Sequence, residues 1–146
     1  MTETPSAPST IRTLPSWLLG RAAARGRALV ADALAAEGMK MWHHVVLSAV
    51  ADQGPVAQAE LGRSVSLDPK DMVGVLNDLQ EEGYVVREPD PKDRRKNAVT
   101  ITEKGHRTLR RCARAAQKAN AELLAPLTEE EREQFVALLN RVMSGG

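Results

Sequence analysis

A mostly helical domain carrying one small β-hairpin wing is the fold class this chain predicts, and three observations point to it. Apolar residues recur at helical spacing along most of the length, as in Trp42, Val45, Val46, Ala49 and Val50 at i, i+3, i+4, i+7 and i+8. The composition holds 21 Ala with only 3% aromatic residues, which suits helices packed through small side chains. The one departure is a pair of strand-prone runs, Tyr84-Val85-Val86-Arg87 and Ala98-Val99-Thr100-Ile101, separated by the turn-rich stretch EPDPKDRRKN. At 146 residues the chain has the length of one ordinary domain.

The elements follow in order. Residues 1–13, rich in Ser, Thr and Pro, are expected to be a disordered N-terminal arm. Pro15 and Ser16 supply a turn and an N-cap for a helix to about Glu37, with Trp17, Leu18, Ala22, Leu29, Val30, Ala33 and Leu34 apolar and Gly38 as its stop. A second helix, about 40–52, ends at Gly54-Pro55, and a short third one runs from about Pro55 to Arg63. The best-marked start comes next: Asp68 as N-cap, Pro69 at the first helical position, and Met72, Val75, Leu76 and Leu79 as the buried stripe of a helix over about 69–82. After the hairpin, Thr102 caps a long helix of about 103–124 with Leu109, Cys112, Ala113, Ala116, Ala119 and Leu123 on one side. Thr128 to Glu131 form a capping box for the last helix, whose apolar face holds Phe135, Leu138, Leu139 and Val142.

Charge narrows the function. The net charge is +1, which excludes a uniformly basic coat, but it is unevenly spread. Residues 92–118 carry ten Lys and Arg against Asp93 and Glu103, a net of +8, between acidic flanks of −4 and −3. No apolar run reaches a membrane span, and the first residues lack a leader's basic start and apolar stretch, so a cytoplasmic protein is expected, with no membrane partner. One cysteine, Cys112, excludes an internal disulfide and a cysteine-ligated zinc finger. No nucleophile–base pair, phosphate loop or metal-binding helix motif is present, so no enzyme, cofactor or metal is expected.

Helix, short helix, turn, capped helix and basic-tipped hairpin, in that order, make a winged helix-turn-helix over residues 40–101. The helix of 69–82 is then the one to enter the major groove of double-stranded DNA, which is wide enough for a helix and presents a readable donor and acceptor pattern. Pro69 opens it. Lys70 reaches a guanine edge or a phosphate, Asp71 accepts from cytosine or faces the helix dipole, Gly74 leaves room for close approach, and Asn77 pairs with adenine. The hairpin tip, with Arg94, Arg95 and Lys96, suits an adjacent minor groove or its phosphates.

Leu79-Gln80-Glu81-Glu82-Gly83-Tyr84-Val85, then Arg87, DPKDRR at 90–95 and ITEKG at 101–105, together resemble the MarR family of transcriptional regulators over essentially everything after residue 13. The resemblance implies a homodimer whose first helix and last two helices, residues 14–39 and 102–146, form the dimerisation region. It also implies a repressor of a pseudo-palindromic operator, released when a small aromatic or anionic ligand enters a cleft between the two regions. Two departures from the family's pattern stand out: the reading helix opens with two acids among Asp68-Pro69-Lys70-Asp71, and Cys112 lies in the long fifth helix rather than near the first, where peroxide-sensing relatives carry theirs.

The expected effector pocket lies between Trp17 and Arg21 of the first helix and Trp42, His43 and His44 of the second. The tryptophans offer apolar walls, and His44 with Arg21 or Arg25 offers polar groups for a carboxylate or phenolate. The plain alternative is that these residues only pack a junction. Adjacent His43 and His44 point about 100° apart on a helix and cannot both face one metal, so zinc sensing with His106 is disfavoured. Two other functional readings stay open: a thiol-based redox sensor through Cys112, and a regulator-like ligand- or protein-binding module with weak DNA binding, suggested by Asp68, Asp71 and Asp78 on the reading helix.

Overall fold

The computed structural model describes residues 8–145. Of the expected arm, residues 1–7 lie outside the described residues, and residues 8–13 form a turn in which Ile11 and Arg12 donate backbone hydrogen bonds to the Pro8 carbonyl. Helix α1 (Pro15–Ala36) ends at Gly38, whose N–H bonds the Ala35 carbonyl. There follow α2 (Met41–Gln53), β1 (Val56–Ala57), α3 (Gln58–Val65), α4 (Pro69–Glu81), β2 (Val85–Pro89), β3 (Asn97–Ile101), α5 (Glu103–Leu123) and α6 (Glu129–Ser144). A mostly helical chain with a small antiparallel sheet was expected, and it is what is found.

Strand β1 was not expected. Its two residues pair with β3 at Val56 to Val99 and Ala57 to Ala98, giving a three-stranded antiparallel sheet of order β1-β3-β2. Two residues are too few to show alternation, so this strand exists only through its partner. It also delays α3, which starts at Gln58 rather than Pro55. The β2–β3 register, from Val85 opposite Ile101 to Pro89 opposite Asn97, reaches further toward the tip than the expected strands.

The chain divides into two compact units. Of the described residues, one comprises 8–30 and 118–145, the other 31–117. The second unit contains nearly all of the core: Leu34, Leu47, Leu61, Leu76 and Leu79 are fully buried, with Val99 of β3 and Cys112 of α5. In α4 the expected stripe of Met72, Val75, Leu76 and Leu79 is the buried face. In α2 the expected stripe needs correction. Trp42 is 48% exposed, and Leu47 is buried in addition to Val46, Ala49 and Val50. Helix α2 packs against α3, α4 and β3 at once, so its buried arc is wider than one stripe, whereas Trp42 stands in the first turn.

The first unit is different. Ala119 is its one buried residue among those described, and α6 buries none. Leu14, Leu18 and Leu19 at the start of the chain and Val136, Leu138, Val142 and Met143 on α6 are exposed. Within this unit α1 approaches the end of α5 at Gly26, where an added Cβ would lie 3.2 Å from Leu123. The α6 capping box forms as the sequence predicts: Thr128 Oγ1 accepts from the Glu131 N–H, and Glu131 Oε1 accepts from the Thr128 N–H. These bonds to the carboxylate hold Glu131 below the usual glutamate range.

Candidate nucleic-acid interface

Helix α4 turns one face outward because its other face, with Met72, Val75, Leu76 and Leu79, is locked into the core. Asp68 caps it, its Oδ1 accepting from the Lys70 N–H at 2.8 Å, with Pro69 at the first helical position. At the far end Gly83 adopts φ +79°, and the Tyr84 N–H reaches back to the Leu79 carbonyl, closing the helix in a left-handed turn that a side chain resists. Between these ends Lys70, Gly74 and Asn77 are exposed and fall within about 60° of one another around the axis at 3.6 residues per turn. A Cβ at Gly74 would meet nothing within 4 Å, so no internal contact requires glycine there.

Two of the three aspartates on and before α4 have partners within the fold. Asp68 is the cap, and Asp78 Oδ2 accepts from His43 Nε2 at 2.9 Å, tying α4 to α2. Asp71 is exposed in the first turn, where the helix dipole favours a negative charge. The acidic character noted in the sequence therefore belongs largely to structure.

The wing is built by aspartates. Asp90 Oδ1 accepts from the Lys92 N–H, the Asp90 N–H donates to the Lys96 carbonyl, and Asp93 Oδ1 accepts from the Arg95 N–H. The Arg95 guanidinium also grips Asp93, from Nε at 3.1 Å and Nη2 at 3.3 Å, and this contact holds the Asp93 carboxyl below its ordinary range. Arg94 and Lys96 are exposed at the same tip. Arg95 thus shares its charge with Asp93 while Arg94 and Lys96 face solvent.

Sequence reasoning missed a group of contacts made between α4 and the first strand of the hairpin. Arg87 of β2 donates from Nη2 to Asn77 Oδ1 at 2.6 Å and from Nε to Gln80 Oε1 at 2.7 Å. Arg87 and Gln80 entered the sequence reading only through the strand run and the family resemblance, and neither lies on a periodic pattern that would reveal a partner on another element. A groove of about 630 Å³ opens between α3, the start of α4 and the Lys96-Asn97 end of the wing, lined by Gln58, Arg63, Leu67 and Met72 among others. A smaller polar hollow of about 350 Å³ lies beside His43, lined by Lys40, Asp78, Glu82 and Tyr84.

The residues expected in an effector pocket fall in both units. Trp17 and Arg21 belong to the first, with the Arg21 guanidinium 5.3 Å from the Trp17 ring centroid, a cation–π distance. Trp42, His43 and His44 belong to the second. Burial lowers the His44 pKa below the usual imidazole value, and His43 Nδ1 is buried with no hydrogen-bond partner. Among the described residues no group of three or more His, Cys, Asp or Glu is placed to hold a metal ion, and no helix is long and apolar enough to cross a membrane. Cys112 is fully buried, and burial pushes its thiol up, with Glu37 adding to the effect.

Comparison with known proteins agrees with this architecture. A model of the MarR family matches residues 37–96. The chain is 29% identical over 106 residues to a putative transcriptional regulatory protein for the hcr operon of Thauera aromatica, a match spanning 73% of this chain and 64% of that protein's length. It is 30% identical over 128 residues to the HTH-type transcriptional repressor Rv2887 of Mycobacterium tuberculosis, covering 88% of this chain and 92% of the relative. The crystal structure of Rv2887 in complex with DNA superposes with a TM-score of 0.78 at 28% identity, over 97% of this chain and 100% of that one. Its complex with p-aminosalicylic acid gives 0.73 at 28% identity, over 93% and 98%.

Proposed function

The chain belongs to the MarR family, and from that premise we propose that it is a homodimeric, ligand-released transcriptional repressor that reads operator DNA through α4 and the wing. The observation that carries the reading is the exposed sector of Lys70, Gly74 and Asn77, held outward by a packed opposite face, with Lys96 of the cationic wing sharing a groove with Pro69 and Met72 at the start of the same helix. In this reading α4 contacts base edges, with Pro69 and Asp71 shaping its first turn, and the wing contacts phosphates or the minor groove. Residues 40–101 are the DNA-reading region, and residues 14–39 with 102–146 are the dimerisation region. The protein acts by binding rather than by catalysis, in the cytoplasm where its operator lies.

Dimerisation is supported by the apolar residues that the first unit leaves uncovered on α1 and α6. A two-fold dimer brings two reading helices to half-sites one helical turn apart, about 10 bp, which calls for a pseudo-palindromic operator. Release by a small aromatic or anionic effector draws support from Rv2887, whose structures include complexes with DNA and with p-aminosalicylic acid. Trp17, Arg21, Trp42, His43 and His44 are the residues proposed for the effector. A ligand that prefers a dimer with mis-spaced reading helices weakens operator binding by linkage.

The buried Cys112 thiol disfavours the redox-sensor reading, since reactive thiols are low in pKa and exposed. The structural roles of Asp68 and Asp78 remove the main ground for a module with weak DNA binding. Selection of bound duplexes from random DNA tests the proposal. Recovery of a pseudo-palindrome, and its release by p-aminosalicylic acid or another aromatic acid with that response lost in His44→Ala, is expected; failure to enrich any sequence would overturn it.

A further inference from the structure

The contacts of Arg87 determine which way two exposed amides point. A guanidinium carries donors and no acceptor, so an Asn or Gln bonded to it must turn its carbonyl oxygen inward and its NH2 group away. Arg87 does this twice, at 2.6 Å to Asn77 Oδ1 and 2.7 Å to Gln80 Oε1, with its two bonds leaving from one rigid planar fork. Asn77 and Gln80 are three residues apart on the exposed side of α4, and Arg87 sits half-buried on β2 behind them. An amide without such a partner rotates and shows either its oxygen or its NH2 to whatever approaches. Held by Arg87, both show hydrogen-bond donors.

We propose that Arg87 is a positioning residue for sequence readout: it fixes Asn77 and Gln80 as outward donors, so that α4 selects acceptor edges in the major groove. Guanine O6 and N7, adenine N7 and thymine O4 fit such donors, and the cytosine amino group, itself a donor, does not. The oxygen that a bidentate adenine contact uses at Asn77 is already engaged by Arg87. This proposal rests on the assignment of α4 as the DNA-reading helix and goes beyond it by naming what the helix reads and what sets that choice.

The experiment compares the wild type with Arg87→Ala, Arg87→Lys, Asn77→Ala and the Arg87→Ala, Asn77→Ala double variant. Affinities are measured for the selected duplex and for each single base-pair change in one half-site, at several salt concentrations. Arg87→Ala is expected to narrow the preference at the positions that Asn77→Ala affects by roughly tenfold. The salt slope should stay the same, and adding Asn77→Ala should cost nothing further at those positions. Arg87→Lys keeps the charge but lacks the planar fork, so affinity persists while preference falls. This variant carries the test if Arg87→Ala lowers the melting temperature. Side-chain amide NMR signals of Asn77 and Gln80, recorded without DNA, should shift in both Arg87 variants.

Three results overturn the proposal: preference that survives both Arg87 substitutions, a uniform loss on all duplexes with the salt slope shallower by about 0.9, which marks a phosphate contact, or amide signals unchanged in the Arg87 variants. If the amide signals shift but the wild type enriches no sequence, the orienting contact stands, and the DNA-reading assignment falls together with the readout role.

Discussion

The Thr102 hydroxyl donates to the Gly83 carbonyl oxygen at 2.6 Å and accepts from the Gly105 N–H at 3.0 Å, so one side chain joins the end of α4 to the start of α5. Lys104 reinforces the junction, its Nζ donating to the Glu82 carbonyl at 2.8 Å while lying 5.4 Å from the Tyr84 ring centroid. The Thr102 N–H also donates to the Tyr84 carbonyl. The first turn of α5 is therefore tied directly to the chain that ends α4.

Gly105 is the tightest point of that junction. A Cβ there would overlap the Tyr84 carbonyl oxygen and come within 2.7 Å of the Ile101 side chain at Cγ1, and the first of these is backbone, so something must shift to admit it. Gly105→Ala is expected to destabilise the fold by at least about 1–3 kcal/mol, as overpacking does. Thr102→Val, which removes the cap and the bond to Gly83, should cost about 1–2 kcal/mol. Urea unfolding followed by circular dichroism measures both. A Gly105→Ala midpoint equal to wild type would contradict the close approach.

The Thr-x-x-Gly pattern at this junction was visible in the sequence, as were Asp68-Pro69 and the Thr128 capping box, because caps are local chemistry written within four residues. The stripe of α4 was legible for a similar reason, since one helix face meets one core. What was not legible depends on partners distant in the chain. Strand β1 exists only opposite β3, Leu47 is buried because α2 is packed on several sides, and Arg87 meets Asn77 only once the hairpin folds back on α4. The bond from His43 to Asp78 spans 35 residues and has no sequence signal.

The wing residues should separate in their salt dependence. Arg94 and Lys96 are exposed, and each phosphate contact they make contributes about 0.9 to the slope of log K against log salt. Arg95 is already paired with Asp93, so Arg95→Ala should change the slope less than Arg94→Ala or Lys96→Ala. Asp93 is held below its ordinary value, so this pair persists above the usual carboxylate range and is lost only as pH falls through the lowered value. Operator titrations at neutral pH and several salt concentrations decide the order; equal slopes for all four proteins would reduce the tip to a solvated loop.

Cys112 should be inert in the native protein. Its thiol is fully buried and raised in pKa, so the thiolate that reacts with disulfide reagents is scarce at neutral pH. A thiol probe is expected to label it only on unfolding, with a rate that tracks urea concentration. The folded state keeps a proton that the unfolded thiol releases, so this group's contribution to stability declines as pH rises past the ordinary thiol range. Rapid labelling without denaturant would restore the redox-sensor reading.

His44 gives the opposite pH response. Burial lowers its pKa, so as pH falls below about 6.5 the unfolded chain takes up a proton before the folded one does. Stability contributed by the neutral ring is complete above that pH and declines as pH falls toward the lowered value. His44→Gln removes the titration and should shrink the difference between the urea midpoints at pH 7.5 and pH 5, leaving the contributions of the carboxylates in place. A difference identical to wild type would show that His44 is solvated in the native state.

The proposed dimer makes the firmest demand on the first unit. On α6, Leu138 is 54% exposed, Val142 66% and Met143 75%, and on α1 Leu18 is 48% exposed. Apolar surface of this kind, in a unit whose single buried residue among those described is Ala119 of α5, contributes little to a monomer but supplies about 25 cal/mol per Å² when a second copy covers it. Light scattering at micromolar concentration is expected to report a dimer. Paired substitution of Leu138 and Val142 by Glu places two charges where the partner's apolar face would lie, and burying an unpaired charge is costly. The variant should fall to monomers while keeping the circular dichroism of the second unit, and it should bind a single half-site with the loss of the tight operator complex. A wild type that scatters as a monomer, or a charged variant that remains dimeric, would remove α6 from the interface.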